Sequence, residues 1–333
     1  MACASTCPEP NRETVLSGRL SPLYNPIYNP TTKSRMANTS TNLDRDSATT
    51  LRTPLPFADS SLPAAWMLAK REWIRFFRQP FRVIAALGQP ILFWILFGTG
   101  FHRAFQGSGP QESYMGFFIP GTAALILLFT AIFSTISIIE DRREGFLQGV
   151  MVSPARRWGI AFGKSLGGAA IAWAQAIFFL LLAIGIGMVP LGPNLLILPL
   201  FLFVAALALT AMGVCFAWPM ESTQGYHAAM NMVMLPMWLL SGAFFPIPAQ
   251  SDGMPIGQRI LQLMMQCNPM SYIVAGIRHL CTDPSALGNG TAEVRIDWIP
   301  TIQASWLITL GFALAMGALA TVLVHRRQKG ELQ

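Results

Sequence analysis

Charge is scarce in this chain. Asp, Glu, Lys and Arg make up 12% of its 333 residues, about half the share of an average soluble domain, while 53% are hydrophobic. Histidine is rarer still, with four residues, and the five cysteines fall at no metal-ligand spacing. Cys3 and Cys7 lie in a polar tail and Cys215 in an apolar run. Cys267 and Cys281 share one long loop, where a disulfide and two free thiols both fit. No paired carboxylates, His ligands or nucleophile beside a base are in evidence, which argues against an enzyme and against a metal site. One glycine is also missing. The stretch RRWGIAFGKSLGG at 156–168 contains GKS, but a phosphate loop reads GxxxxGK[ST], and the place five before Gly163 holds Trp158.

What is present is apolar and clustered, in runs of about 20 residues that suit a hydrocarbon core of roughly 30 Å. Residues 1–61 are rich in Ser, Thr, Asn and Pro and are expected to be disordered. Residues 62–82 interleave Trp66, Trp73, Ile74, Phe77 and Phe81 with Lys70, Arg71, Arg75, Arg78 and Arg82 at helical spacing. This predicts a helix lying in the membrane interface, its cations turned to headgroups. Six spans are expected at 83–101, 117–139, 160–189, 195–218, 230–245 and 299–324, with Glu221 and His227 in the turn between the fourth and fifth. Thirteen Lys and Arg flank the spans on one side and four on the other. The positive-inside rule therefore puts both termini in the cytoplasm of a multi-pass cell-membrane (inner-membrane) protein. The net charge of +7 thus fits membrane lipids as partners rather than nucleic acid, since the basic residues border apolar runs. The stretch GQRILQLMMQCNPMSYIVAGIRHL, split by Asn268 and Pro269, predicts an external pair of re-entrant helices. The fold expected is all-α, a polytopic membrane protein of six transmembrane helices with an N-terminal interfacial helix.

Inside the spans the only charge is Lys164, near a cytoplasmic start; it is expected to snorkel to headgroups with its stem along Ile160 and Ala161. A proton-coupled transporter keeps Asp, Glu or His there, so the energy for any pumping is expected from a partner. Attention then falls on the cytoplasmic loop EDRREGFLQGVMVSPARRWGIAFGK, residues 140–164. It opens on charges, continues as a short amphipathic stretch and stops at Ser153 and Pro154. This loop resembles the coupling region of ABC type-2 transporter permeases, membrane subunits of exporters for drugs, lipids and polysaccharides. Glu144, Gly145, Leu147, Ser153, Pro154, Arg157, Gly163 and Lys164 follow the family's order, whereas Gln148 stands where many members have Glu. LSGAFFPIP at 240–248 and NPMSYIVAGIRHL at 268–280 are similar to two further family motifs.

The resemblance covers residues 62–330 and implies one permease domain. It also implies a separate cytoplasmic ABC ATPase that holds the ATP and Mg, with no cofactor on this chain, and a second permease subunit in a homo- or heterodimer. Glu140, Arg142, Arg143, Glu144, Gly145, Leu147, Ser153 and Pro154 are the residues expected to meet the ATPase. Gly163 and Gly167 form a GxxxG pair for helix packing, within a subunit or across a dimer. Phe129, Thr130, Phe133 and Gln175 are candidates for a substrate path; the polar ones, with Ser134 and Ser137, equally suit bonds to neighbouring carbonyls. An uncharged interior favours a lipophilic or amphipathic substrate. A passive channel or secondary transporter, or a membrane scaffold, is the alternative class.

Overall fold

A computed structural model describes residues 61–100, 114–152, 156–244, 255–282 and 299–325. Among them are ten α-helices, one 3-10 turn and no strand. The helices are α1 Ser61–Phe77, α2 Pro80–Gly100, α3 Tyr114–Arg143, α4 Phe146–Val152 and α5 Arg157–Gly185. After the 3-10 turn Pro193–Leu196 come α6 Leu198–Ala217, α7 Thr223–Leu239, α8 Ile256–Cys267, α9 Pro269–Cys281 and α10 Ile302–His325. Five of these, α2, α3, α5, α6 and α10, are long and apolar enough to cross a membrane. The tail at 1–60 and the positions Ser153, Pro154, Arg326, Arg327 and Lys329 lie outside the described residues.

The centre of the bundle is α3, packed on α2, α5 and α6. Phe118, Ile119, Ala123, Leu125, Ile126 and Leu128 are all but inaccessible, which follows from a helix that is apolar all round rather than striped. By contrast α10 leaves Leu307, Leu310 and Leu314 exposed, and α2 leaves Ile84, Leu92 and Leu96 exposed, as peripheral helices do when hydrocarbon is their solvent.

Helix boundaries follow local chemistry. Arg78 and Gln79 break α1 from α2 because Pro80 opens α2 and restricts the residue before it. The predicted start of the fifth span is corrected by a cap: Ser222 Oγ accepts the Gly225 N–H at 3.0 Å, so α7 begins at Thr223 and carries His227 inside the helix, not in a turn. At 17 residues α7 is about 26 Å long, a little short of a hydrocarbon core. Asn268 separates α8 from α9, its side chain accepting the Met270 N–H at 3.0 Å, with Pro269 in the first turn of α9.

Candidate functional site: the charged end of the bundle

The last turn of α3 carries Glu140, Asp141, Arg142 and Arg143, the two cations suiting the negative end of the helix dipole. The chain then reverses at Gly145, whose φ of 74° is a left-handed conformation that glycine adopts without strain. Its N–H donates back to the Arg142 carbonyl at 3.2 Å, closing α3 and launching α4. Leu147 is buried, and Phe146, Val150 and Met151 pack against the core, while Gln148 and Gly149 face outward. Thus α4 is an anchored surface helix with one open side.

Around Asp141 the structure assembles a charge cluster from three helices. Asp141 is fully buried. It accepts both Arg71 nitrogens at 2.9 Å, Arg75 Nη1 at 2.8 Å and the Lys164 ammonium. Lys164 also donates to Glu72, and to Ser137 Oγ at 3.4 Å. Arg75 reaches Glu140 at 2.9 Å and Glu144 at 3.7 Å. Burial works against the Arg71 charge, but the Asp141 hydrogen bond, with the Asp141, Glu72 and Glu144 charges, leaves its guanidinium above the ordinary arginine value. The same guanidinium lies 3.8 Å over the Phe146 ring, a cation–π contact that ties α1 directly to α4.

This geometry corrects two expectations. Lys164 does not snorkel: its residue is 4% exposed and its ammonium turns inward, because two buried carboxylates offer more than headgroups at that depth. Arg71 and Arg75 likewise point at Asp141 rather than at headgroups, although Trp66, Trp73 and Phe77 of α1 stay exposed. The pairing was not read from sequence. Its one legible signal was Lys164 itself, a charge in an apolar run with no partner nearby in the chain.

The remaining site residues are placed as follows. Arg142 donates to the Trp218 carbonyl at 2.6 Å and the Met220 carbonyl at 3.1 Å, and Arg143 to the Glu221 carbonyl at 3.0 Å. Both therefore clasp the turn between α6 and α7. Gly163 and Gly167 sit under α1: a Cβ on Gly163 would lie 2.6 Å from the Ala65 carbonyl oxygen, and one on Gly167 would lie 2.8 Å from Glu72 Cβ. Gly163, Lys164 and Ser165 are interior residues of α5, helical and buried, with no loop around them. Thr130 donates to Gln175 Oε1, and both are buried. Phe129 and Phe133, about a quarter-turn round α3, keep partial exposure; their rings lie 5.9 Å apart, and Phe133 is 5.7 Å from His227.

At the opposite end residues 240–244 of the first shorter motif, whose positions 245–248 lie outside the described residues, meet the second. Asn268 Nδ2 donates to the Met237 carbonyl at 2.5 Å, Ser271 Oγ to Leu240 at 3.2 Å and Arg278 to Gly242 at 3.3 Å. Asn268 and two side chains of α9 thus satisfy carbonyls at and just past the end of α7, where a helix leaves them unpaired. Arg278 is buried with its guanidinium 4.4 Å over the Phe117 ring. Cys267 is exposed, Cys281 is buried and both are free.

Comparison with known proteins identifies the family. Residues 63–281 match the family described as ABC-2 type transporter. The chain is 31% identical to the transport permease ycf38 of Cyanophora paradoxa over 229 residues, which cover 67% of this chain and 75% of that protein. It is 26% identical to the ycf38 permease of Porphyra purpurea, covering 74% and 83% of the two chains. It is also 26% identical to the multidrug ABC transporter permease YbhR of Escherichia coli K12, over 49% of this chain and 43% of that one. The family match takes in α1 to α9, including α4 and every member of the charge cluster, and on it the chain belongs to the ABC-2 type transporter family, as a membrane transport subunit.

Proposed function

We propose that this chain is the permease subunit of an ATP-driven exporter, that a separate cytoplasmic ABC ATPase docks on α4, and that two permease subunits work as a dimer. The observation that carries the reading is α4 itself. Its outer side, Gln148 and Gly149, is free for a partner, while Leu147 is embedded and Phe146 lies under Arg71. A load on that side passes to α1, α3 and α5 through the charge cluster. Glu144, 61% exposed at its side chain, and Arg143 border the same surface. The substrate proposed is lipophilic or amphipathic, such as a drug, a lipid or a lipid-linked glycan, in keeping with the name of the bacterial relative. Phe129 and Phe133, their rings tilted against each other and partly open, are its proposed path.

The test is purification of the tagged chain from membranes. An ABC ATPase should come with it, and hydrolysis by the complex should depend on the permease. Leu147→Pro should cut that dependence, and ATP-driven efflux of a lipophilic dye, at least about tenfold, because it removes the buried leucine side chain that anchors α4 and forces Phe146, the residue before it, out of helical geometry. Membrane insertion should be unchanged. Co-purification of no ATPase, or an unaffected Leu147→Pro complex, would leave the exporter reading without support and favour a passive pore.

In the same reading α7, lengthened by the turn at residues 240–244, is the sixth span, the charged end is cytoplasmic, and α8 and α9 dip into the outer leaflet and return. The exposed Ile256, Ile260 and Leu263 of α8 would meet lipid there. A membrane-impermeant thiol reagent added outside intact cells should label cysteines substituted for both Asp252 and Asn289, in a chain lacking its own cysteines. Labelling of one position without the other would mean that the segment crosses.

A further inference from the structure

Asp141, Ser137, Ser134 and Thr130 recur along α3 at successive intervals of four, three and four, so they share one helix face. The matching face of α5 carries Lys164, Gly168 and Gln175. The two faces meet in register. Asp141 and Ser137 bond Lys164. A Cβ on Gly168 would lie 3.3 Å from Ser134 Cβ, and Thr130 bonds Gln175. Residue numbers fall along α3 as they rise along α5, the order of two antiparallel helices. The seam runs from Thr130 to Asp141 of α3, about 16 Å, or roughly half a hydrocarbon core. Each neutral bond in it is worth little between membrane helices. A slip of one turn would nonetheless part all of them together and carry the Lys164 ammonium away from Asp141 into apolar surroundings.

From this we infer that Lys164 is a positioning residue for energy coupling: it fixes the register of α3 against α5, so that the two helices travel as one body and their seam stays shut throughout the transport cycle. The inference rests on the ATPase-coupled reading above and adds to it a mechanical consequence. Substrate passes elsewhere than between α3 and α5, which removes Thr130 and Gln175 from the path and leaves it to Phe129 and Phe133.

A disulfide replaces the register lock without any charge. Disulfide Cβ atoms sit about 3.5–4.5 Å apart, close to the separation at Ser134 and Gly168. Thr210 Cγ2 is 2.6 Å from the new Cβ, so the variant is Ser134→Cys, Gly168→Cys and Thr210→Ser, oxidised in the reconstituted permease–ATPase complex. Bond formation is followed by peptide mass. The readout is ATP hydrolysis, for which the substrate need not be known. Oxidised complex should hydrolyse within about twofold of its reduced form, and an arrest of hydrolysis on oxidation would overturn the closed seam. Lys164→Met leaves Asp141 with both arginines, so the complex should assemble. Its permease-dependent hydrolysis should fall several-fold, and oxidation of the cysteine pair in that background should restore it, whereas reduction should remove it again. Failure of oxidation to restore the rate, or an unchanged rate in Lys164→Met, would overturn the positioning role. If Leu147→Pro is also without effect, the coupling reading itself has failed; if Leu147→Pro acts and Lys164→Met does not, only the present inference has.

Discussion

Replacing Asp141 with alanine should lower the thermal midpoint of the detergent-solubilised permease by about 5–10 °C. One buried carboxylate here serves three cations: Arg71 through both its terminal nitrogens, Arg75, and Lys164. Its loss leaves those charges to Glu72, Glu140 and Glu144, of which the last two are partly in solvent. Breaking a buried ion pair by removing one partner costs on the order of 3–5 kcal/mol, and in a chain of this size each kcal/mol moves the midpoint by about 1.5–2 °C. Asp141→Asn should come close to the alanine variant, since an amide offers one acceptor where two were used and adds a donor facing three cations. Asp141→Glu, which keeps the charge, should lose least. The double variant Asp141→Asn with Lys164→Met should be more stable than the sum of its parts, because the second change removes a cation stranded by the first. Fluorescence-detected size exclusion after heating measures all four. An Asp141→Asn midpoint equal to that of the unchanged chain would mean that the cluster holds nothing together.

The fold class was legible because the solvent imposes it. Runs of some 20 apolar residues bordered by cations have few options in a bilayer, and the split at Asn268 and Pro269 was equally plain because a cap and a proline act locally. The approximate site was legible as a loop with an order of residue types. Its inner construction was not. Lys164 and Glu72 are 92 residues apart in the chain, and the arginines of α1 satisfy the positive-inside rule whether they face headgroups or a carboxylate, so hydropathy is blind to the difference. Arg142 and Arg143 had the same ambiguity. In sequence they are charges on a loop, and in the structure they bind main-chain carbonyls of the next turn, acceptors that leave no trace in residue types. The start of α7 was misplaced for a related reason: hydropathy falls before Met230, but Ser222 had already begun the helix.

Gly163→Ala should detach α1 from the bundle. The added Cβ would lie 2.6 Å from the Ala65 carbonyl oxygen, 2.8 Å from Ala65 Cα and 3.1 Å from the Ala65 carbonyl carbon. All three are main-chain atoms, so no side chain can swing aside and one helix has to lift off the other. Overpacking of this kind costs about 1–3 kcal/mol, and the consequence spreads because α1 also carries Arg71, Glu72 and Arg75. Raising α1 draws Glu72 off Lys164 and the guanidinium of Arg71 off Phe146, so the charge cluster and the anchorage of α4 loosen together. Amide hydrogen exchange over residues 61–77 should therefore accelerate at least about tenfold in Gly163→Ala, which a free-energy change of 1.4 kcal/mol suffices to produce, with a smaller rise over residues 146–152. Gly163→Leu should go further and cost most of the folded yield. Gly311→Ala is the control, since nothing lies within 4 Å of a Cβ there, and it should leave both segments as protected as before. If α1 exchanges in Gly163→Ala no faster than in the control, α1 is held by its membrane-facing aromatics rather than by its seat on α5, and the chain of contacts from α4 through Arg71 to the spans loses its first link.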